Sequence, residues 1–220
     1  MTETTPAGDT REKILRAAEQ LLAARGIEGV SLREINRAAA QSNTGAVQYH
    51  FGDRDGLVRA VIGRHQRDTE PRRHALLDNY ETGGGDLRAL AAALVLPLAA
   101  KLNDPDGGRA YLRIVAEFYN RPVPFDEIVP TRDPNSSMVR WHLLLDPLLQ
   151  IEQDTVLRTR FAAVRFTLVE LARRAAEPPH RDDRLYISHL IDLVTAVLAA
   201  EPSAPTTHLL SLRPPPSNGD

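Results

Sequence analysis

The chain has 220 residues, of which 42% are apolar and 25% charged, with no cysteine and a formal net charge of -2. That length can bury a core in one domain or two small ones, and the lack of cysteine excludes a disulfide scaffold, thiolate zinc sites and thiol-based sensing. The longest apolar stretch, residues 87–102, is broken by Arg88, Pro97 and Lys101 and falls short of the ~20 apolar residues of a bilayer span, so no membrane partner is expected. The N-terminal MTETTPAGDT has no basic region followed by an apolar core, which leaves the cytoplasm as the expected compartment.

Apolar residues recur at three- and four-residue spacing almost throughout, which predicts an all-α fold. The first helix follows an Asp9 or Thr10 cap and runs to Arg25, with Ile14, Ala18, Leu21 and Leu22 on one face and Gly26 as its C-terminal stop. Residues 1–9 are expected to be disordered. Ser31 with Glu34 three positions later reads as a capping box opening a short second helix that ends near Ala39. The polar break Gln41, Ser42, Asn43 precedes a third helix over residues 44–50. Asp53 caps a fourth, and Gly83–Gly84–Gly85 form a joint. Further helices are expected near residues 86–101, 107–120, 135–150, 154–177 and 181–200. Beyond Glu201 the prolines at 202, 205 and 214–216 predict a disordered tail, residues 201–220, that holds no helix.

Two short helices joined by a polar turn, inside a three-helix arrangement, form a helix-turn-helix pattern. Its second helix can enter the ~12 Å major groove of DNA if its outer face is small or polar. Residues 43–50, NTGAVQYH, meet that condition. Asn43, Thr44 and Gln48 can exchange hydrogen bonds with base edges, Gly45 and Ala46 permit close approach, and Tyr49 and His50 can reach phosphates while Phe51 turns inward. Arg33 and Arg54 flank this helix where the backbone strands would pass. Residues 10–67 carry ten basic against six acidic side chains, a modest positive excess hidden by the overall balance.

The stretch from Thr10 to Ile62 resembles the DNA-binding domain of TetR-type transcriptional regulators. The resemblance rests on Arg25-Gly26, then Val30-Ser31-Leu32-Arg33-Glu34-Ile35, then Tyr49-His50-Phe51-Gly52 followed by Asp53-Arg54 and Leu57. Residues 39–43 depart from the Gly-Val-Ser turn common in members and are one residue longer. The resemblance implies a homodimer with a DNA-binding domain at residues 10–67 and an effector-binding and dimerisation domain at residues 68–200. It also implies repression at an inverted-repeat operator, relieved by a small-molecule effector. An activator, or a regulator answering a protein partner, is the alternative with the same DNA-binding domain.

Two amphipathic helices near the C-terminus are candidates for the dimer interface, through Phe161, Val164, Leu168 and Leu171 and through Leu190, Leu193, Val194 and Val197; packing of the same faces within one subunit is the alternative. An effector pocket is expected among Leu94, Leu98, Tyr111, Phe118, Tyr119, Trp141, His142 and Leu145. No phosphate-binding loop, nucleophile elbow or dinucleotide glycine pattern is present, so no catalysis and no cofactor are expected. The densest acid and histidine cluster, His180, Asp182, Asp183, His189 and Asp192, is the one conceivable metal site of a rival enzyme reading.

Overall fold

Capping side chains and glycines set most of the boundaries in a computed structural model that describes residues 6–41, 45–122, 133–149 and 157–213. Every regular element among these residues is helical: α1 (Pro6–Arg25), α2 (Leu32–Ala38), α3 (Ala46–Phe51), α4 (Arg54–Gly83), α5 (Leu87–Ala99), α6 (Gly108–Tyr119), α7 (Ser137–Leu145), α8 (Thr159–Ala176), α9 (Arg184–Leu198) and α10 (Ala204–Ser211). The capping box forms, with the Glu34 amide donating to Ser31 Oγ and Glu34 Oε2 accepting from the Ser31 amide at 2.8 Å. Asp53 and Asp86 cap α4 and α5 by accepting from Gly56 and Ala89, and Gly84, at φ +63°, closes α4 with a left-handed turn.

Two expectations about the ends are corrected. Residues 6–9, expected to be disordered, begin α1; a proline in the first turn of a helix loses no bond, because its amide would have had no partner. The tail expected to hold no helix carries α10, and again the proline, Pro205, stands in the first turn. Residues 1–5 and 214–220 lie outside the described residues. Helix α4 runs unbroken through residue 67, so the division drawn there from the sequence falls inside a helix, and Pro71 is accommodated in its interior.

Helices α1, α2, α3 and the start of α4 pack around Ile14, Ala18, Leu22, Ile35, Val47, Leu57 and Val61, all buried. The larger helical unit is built on α6, which packs against α8, α1 and α4, and on α5, which packs against α4 and α9. Trp141 of α7 is wholly buried and donates from Nε1 to the Leu90 carbonyl at 2.8 Å, joining α7 to α5.

A buried charged cluster lies where the two units meet. The carboxylate of Glu19, on α1, accepts from Arg64 Nη1 at 2.8 Å and lies 2.5 Å from His65 Nε2, both on α4. Arg64 also pairs with Asp106 at 2.5 Å, and His65 stacks on Tyr111 of α6 with ring centroids 4.6 Å apart. Pairing of this kind is what makes burial of Glu19, 4% exposed, tolerable. Gly107 belongs to the same junction: its φ is +83°, and a Cβ there would overlap the Glu19 carboxylate. Gly107→Ala is therefore expected to destabilise the protein by about 2 kcal/mol or more. Gly84→Ala, at φ +63° with open space around it, should cost about 1 kcal/mol. Urea denaturation of the two variants measures the difference, and equal midpoints would contradict the packing at Gly107.

Candidate nucleic-acid interface

The interface begins with what holds α3. Its N-cap, Gly45, offers no side chain to the first turn, and that role passes to Asn36 on α2, 3% exposed, whose Oδ1 accepts from the Val47 amide at 3.3 Å. Asn36 thus ties the two helices of the motif together through a buried hydrogen bond. It is not among the residues singled out from the sequence. A polar residue on the inward face of α2, one position after Ile35, was the available signal. At the other end the Arg11 guanidinium lies 5.2 Å from the centroid of the half-buried Phe51 ring, fastening α3 to α1.

With Ala46 and Val47 buried, the outer face of α3 is left to Gln48 and Tyr49, with His50 half-buried beside them. Tyr49 is 84% exposed, the most extended apolar-bodied side chain on the motif, and its ring meets His50 edge-on at 5.1 Å. Gly45 is partly exposed. Ala46 faces the core and so does not provide the close approach expected of it. Asn43 and Thr44 lie outside the described residues. Arg33 is exposed on α2 and makes no hydrogen bond or ion pair with the described residues, as a group reserved for an external phosphate would be. Arg54 acts differently. Its Nη1 donates to the Ile27 carbonyl at 2.7 Å and lies 3.3 Å from Glu28, so it anchors the loop between α1 and α2.

That loop is tied to the C-terminal unit as well. The Ile27 amide donates to Glu117 Oε1 of α6 at 2.7 Å, and Arg121, just beyond α6, pairs with Asp55 in the first turn of α4 at 2.8 Å while its guanidinium lies 4.4 Å from the Phe118 ring centroid. The hydrogen bond from Arg121 holds the Asp55 carboxyl below the usual carboxylate range. None of Glu117, Arg121 and Asp55 was singled out from sequence, because the partners are ~60 or more residues apart and no local spacing joins them.

Of the side chains expected around an effector, Leu94, Leu98, Tyr111, Phe118, Trp141 and Leu145 are buried in the core, and Tyr119 and His142 are half-buried. Two surface hollows among the described residues lie elsewhere. One, of about 520 Å³, is bordered by Tyr186, Ser188, His189 and Asp192; the other, of about 160 Å³, by Leu87, Leu149, Leu157 and Leu198. Of the dimer candidates, Val164, Leu168, Leu171, Leu190 and Val194 are buried within the chain, where α8 and α9 pack on each other and on α6 and α5. Phe161 and Val197 are half-buried and Leu193 is 39% exposed. Packing within one subunit thus accounts for the five buried positions. The apolar side chains left uncovered on these helices are Val169, Leu185 and Leu193.

The acid and histidine cluster of residues 180–192 is divided among arginines: Asp183 pairs with Arg174 at 2.6 Å, Asp182 with Arg184 at 2.7 Å and Asp192 with Arg88 at 2.8 Å, while His180 lies 3.1 Å from Glu177. Carboxylates spent in this way do not converge on a shared point, and no group of three potential metal ligands gathers among the described residues.

The capping box under α2 has a measurable electrostatic signature. The Ser31 amide, the Arg25 guanidinium at 2.7 Å and the Ser31 hydroxyl hold the Glu34 carboxyl down from 4.5 to about 2. A carboxyl depressed by folding stabilises the fold above its unfolded value and loses that contribution as pH falls through the folded one. Glu34 should therefore titrate near 2 in carboxyl NMR of the folded protein, with the second helix loosening between roughly pH 4.5 and 2; a midpoint in the ordinary range of glutamate would contradict the capping geometry.

Comparison with known proteins bears on the same segment. Residues 14–61 match the family described as bacterial regulatory proteins, tetR family. Over 58 residues the chain is 41% identical to the HTH-type transcriptional repressor BepR of Brucella suis biovar 1 (strain 1330), a match covering 26% of this chain and 27% of that protein. The chain thus spans little more than a quarter of that relative's length. Among solved structures, Mycobacterium smegmatis AmtR aligns over 98% of this chain and 99% of its own with a TM-score of 0.51 at 17% identity, a likeness of fold from end to end. No described helix is long and apolar enough to cross a membrane. The likeness to bacterial regulatory proteins of the tetR family thus lies in the helix-turn-helix segment, residues 14–61.

Proposed function

We propose that the protein is a sequence-specific DNA-binding repressor that acts as a homodimer on an inverted repeat and is released by a small-molecule effector. The observation that carries this reading is the state of α3. A helix pinned from behind by Asn36 and Arg11 presents Gln48 and Tyr49 outward, beside an Arg33 that has no partner among the described residues. Such a face suits base-edge contact by Gln48 and backbone contact by Tyr49 and Arg33. The name of the Brucella relative, a transcriptional repressor, supports the sign of the regulation.

Dimerisation is supported by geometry rather than by the buried residues expected to provide it. Val169, Leu185 and Leu193 leave an apolar surface on α8 and α9, and two recognition helices about one turn of DNA apart (roughly 34 Å) read far more sequence than one. Release by an effector is supported by the ties from α6 to the motif, since Glu117 and Arg121 hold the loop after α1 and the start of α4 from the C-terminal unit. A shift of α6 would move both together.

Fluorescence anisotropy on a duplex retained by the protein tests the reading. Gln48→Ala should weaken specific binding about tenfold, by loss of a base contact, and leave non-specific binding unchanged. Arg33→Ala should weaken binding to all sequences and lower the salt dependence by about one ion. Specific affinity indifferent to both changes would overturn the assignment of this face to DNA.

A further inference from the structure

Helix α3 is six residues long, and a helix that short holds its place only through tertiary contacts. Two of its side chains, Ala46 and Val47, are buried, but apolar contacts have no direction: they keep the helix on the core without fixing its roll or depth. A hydrogen bond is directional, and α3 has one from behind, in which the Val47 amide donates to Oδ1 of Asn36 on α2 at 3.3 Å. That amide belongs to the first turn, where no partner exists within the helix, and the N-cap Gly45 has no side chain to offer it. Val47 is wholly buried and Asn36 is 3% exposed, so neither group can turn to water instead.

Asn36 also holds the start of the connection between the two helices. Its carbonyl accepts from the Gln41 amide at 3.0 Å, closing a turn in which Ala40 stands at φ +53°. That left-handed conformation suits glycine and strains alanine. One residue thus grips the chain on both sides of the connection, by its backbone at Gln41 and by its side chain at Val47. Gln48 and Tyr49, the exposed side chains of α3, follow Val47 directly. Without the Asn36 oxygen the Val47 amide would be buried and unpaired, and α3 would relieve that cost by lifting towards water. Gln48 would move with it, and a binding contact tolerates misplacement of only about 0.5 Å.

We propose that Asn36 is a positioning residue for sequence readout: its side-chain oxygen sets the depth and roll of α3, and with them the discrimination between base pairs. The inference deepens the DNA-binding reading above and rests on it. Arg33, the candidate for backbone contact, stands on α2 and keeps its place when α3 shifts, so attachment to phosphates of any sequence does not depend on the Asn36 oxygen.

The test compares, with the full chain, a duplex selected from a random pool by the unmodified protein and an unrelated duplex of equal length. Asn36→Ala should cut the ratio of the two affinities about tenfold or more, and leave the affinity for the unrelated duplex and its salt dependence unchanged. Asn36→Asp, which keeps an acceptor at the same place, should restore most of that ratio. Adding Ala40→Gly to Asn36→Ala should raise the melting temperature by about 2 to 4 °C, through relief of the left-handed strain, without restoring the ratio. A merely structural role predicts the reverse, with discrimination returning as stability does. Should Asn36→Ala not fold, the double variant takes its place. Parallel loss of both affinities, an undiminished ratio, discrimination recovered through Ala40→Gly, or Asn36→Asp no better than Asn36→Ala overturns the role given to Asn36 and leaves the DNA-binding reading standing. If the unmodified protein prefers no duplex at all, that reading falls, and this inference with it.

Discussion

The backbone of Ile27 is held from both sides. Its amide donates to Glu117 of α6, its carbonyl accepts from Arg54 of α4, and its side chain is wholly buried. A single residue in the loop after α1 thus joins the three elements on which everything else is hung: the helix-turn-helix that follows it, the long α4 that crosses from one unit to the other, and the central helix of the C-terminal unit. Gly26, at φ +82°, makes the arrangement possible, since a Cβ there would press on the Glu117 carboxylate within about 3.2 Å. An unpaired amide at the wholly buried Ile27 would be costly, so the loop has little freedom to drift away from α6.

Around this point the other ties fall into place. Arg121 and Asp55 fix the start of α4 to the end of α6, and Glu19, Arg64, His65 and Asp106 close the junction on its opposite flank. Position and orientation of α3 follow from the loop on one side and from Asn36 on the other. In the proposed function this is the mechanical content of release.

Much of the fold was legible because local chemistry wrote it. Ser31 with Glu34, Asp53 and Gly26 each act through neighbours within a few residues, so the end of the first helix and the starts of the second and fourth could be read from spacing alone. The outward face of α3 was legible for the same reason: Val47 and Phe51 four apart leave Gln48 and Tyr49 on the other side. Proline misled where position mattered more than identity, as at Pro205, which stands in a first turn and breaks nothing. What spacing could not reveal were the pairings made across the chain. Arg54 looked like a phosphate contact because it flanks the third helix, yet Ile27 and Glu28 claim it. The apolar stripes of α8 and α9 announced burial correctly but could not say against which partner, and most of their side chains pack inside the subunit.

The central claim, that a paired α3 reads a defined DNA sequence, is tested most directly by selecting bound duplexes from a random pool with the unmodified protein. The predicted result is enrichment of one inverted repeat whose half-sites are separated by about one turn of the double helix or a little more. Recovery of sequences with no shared motif, or of a single half-site without dyad symmetry, would contradict it.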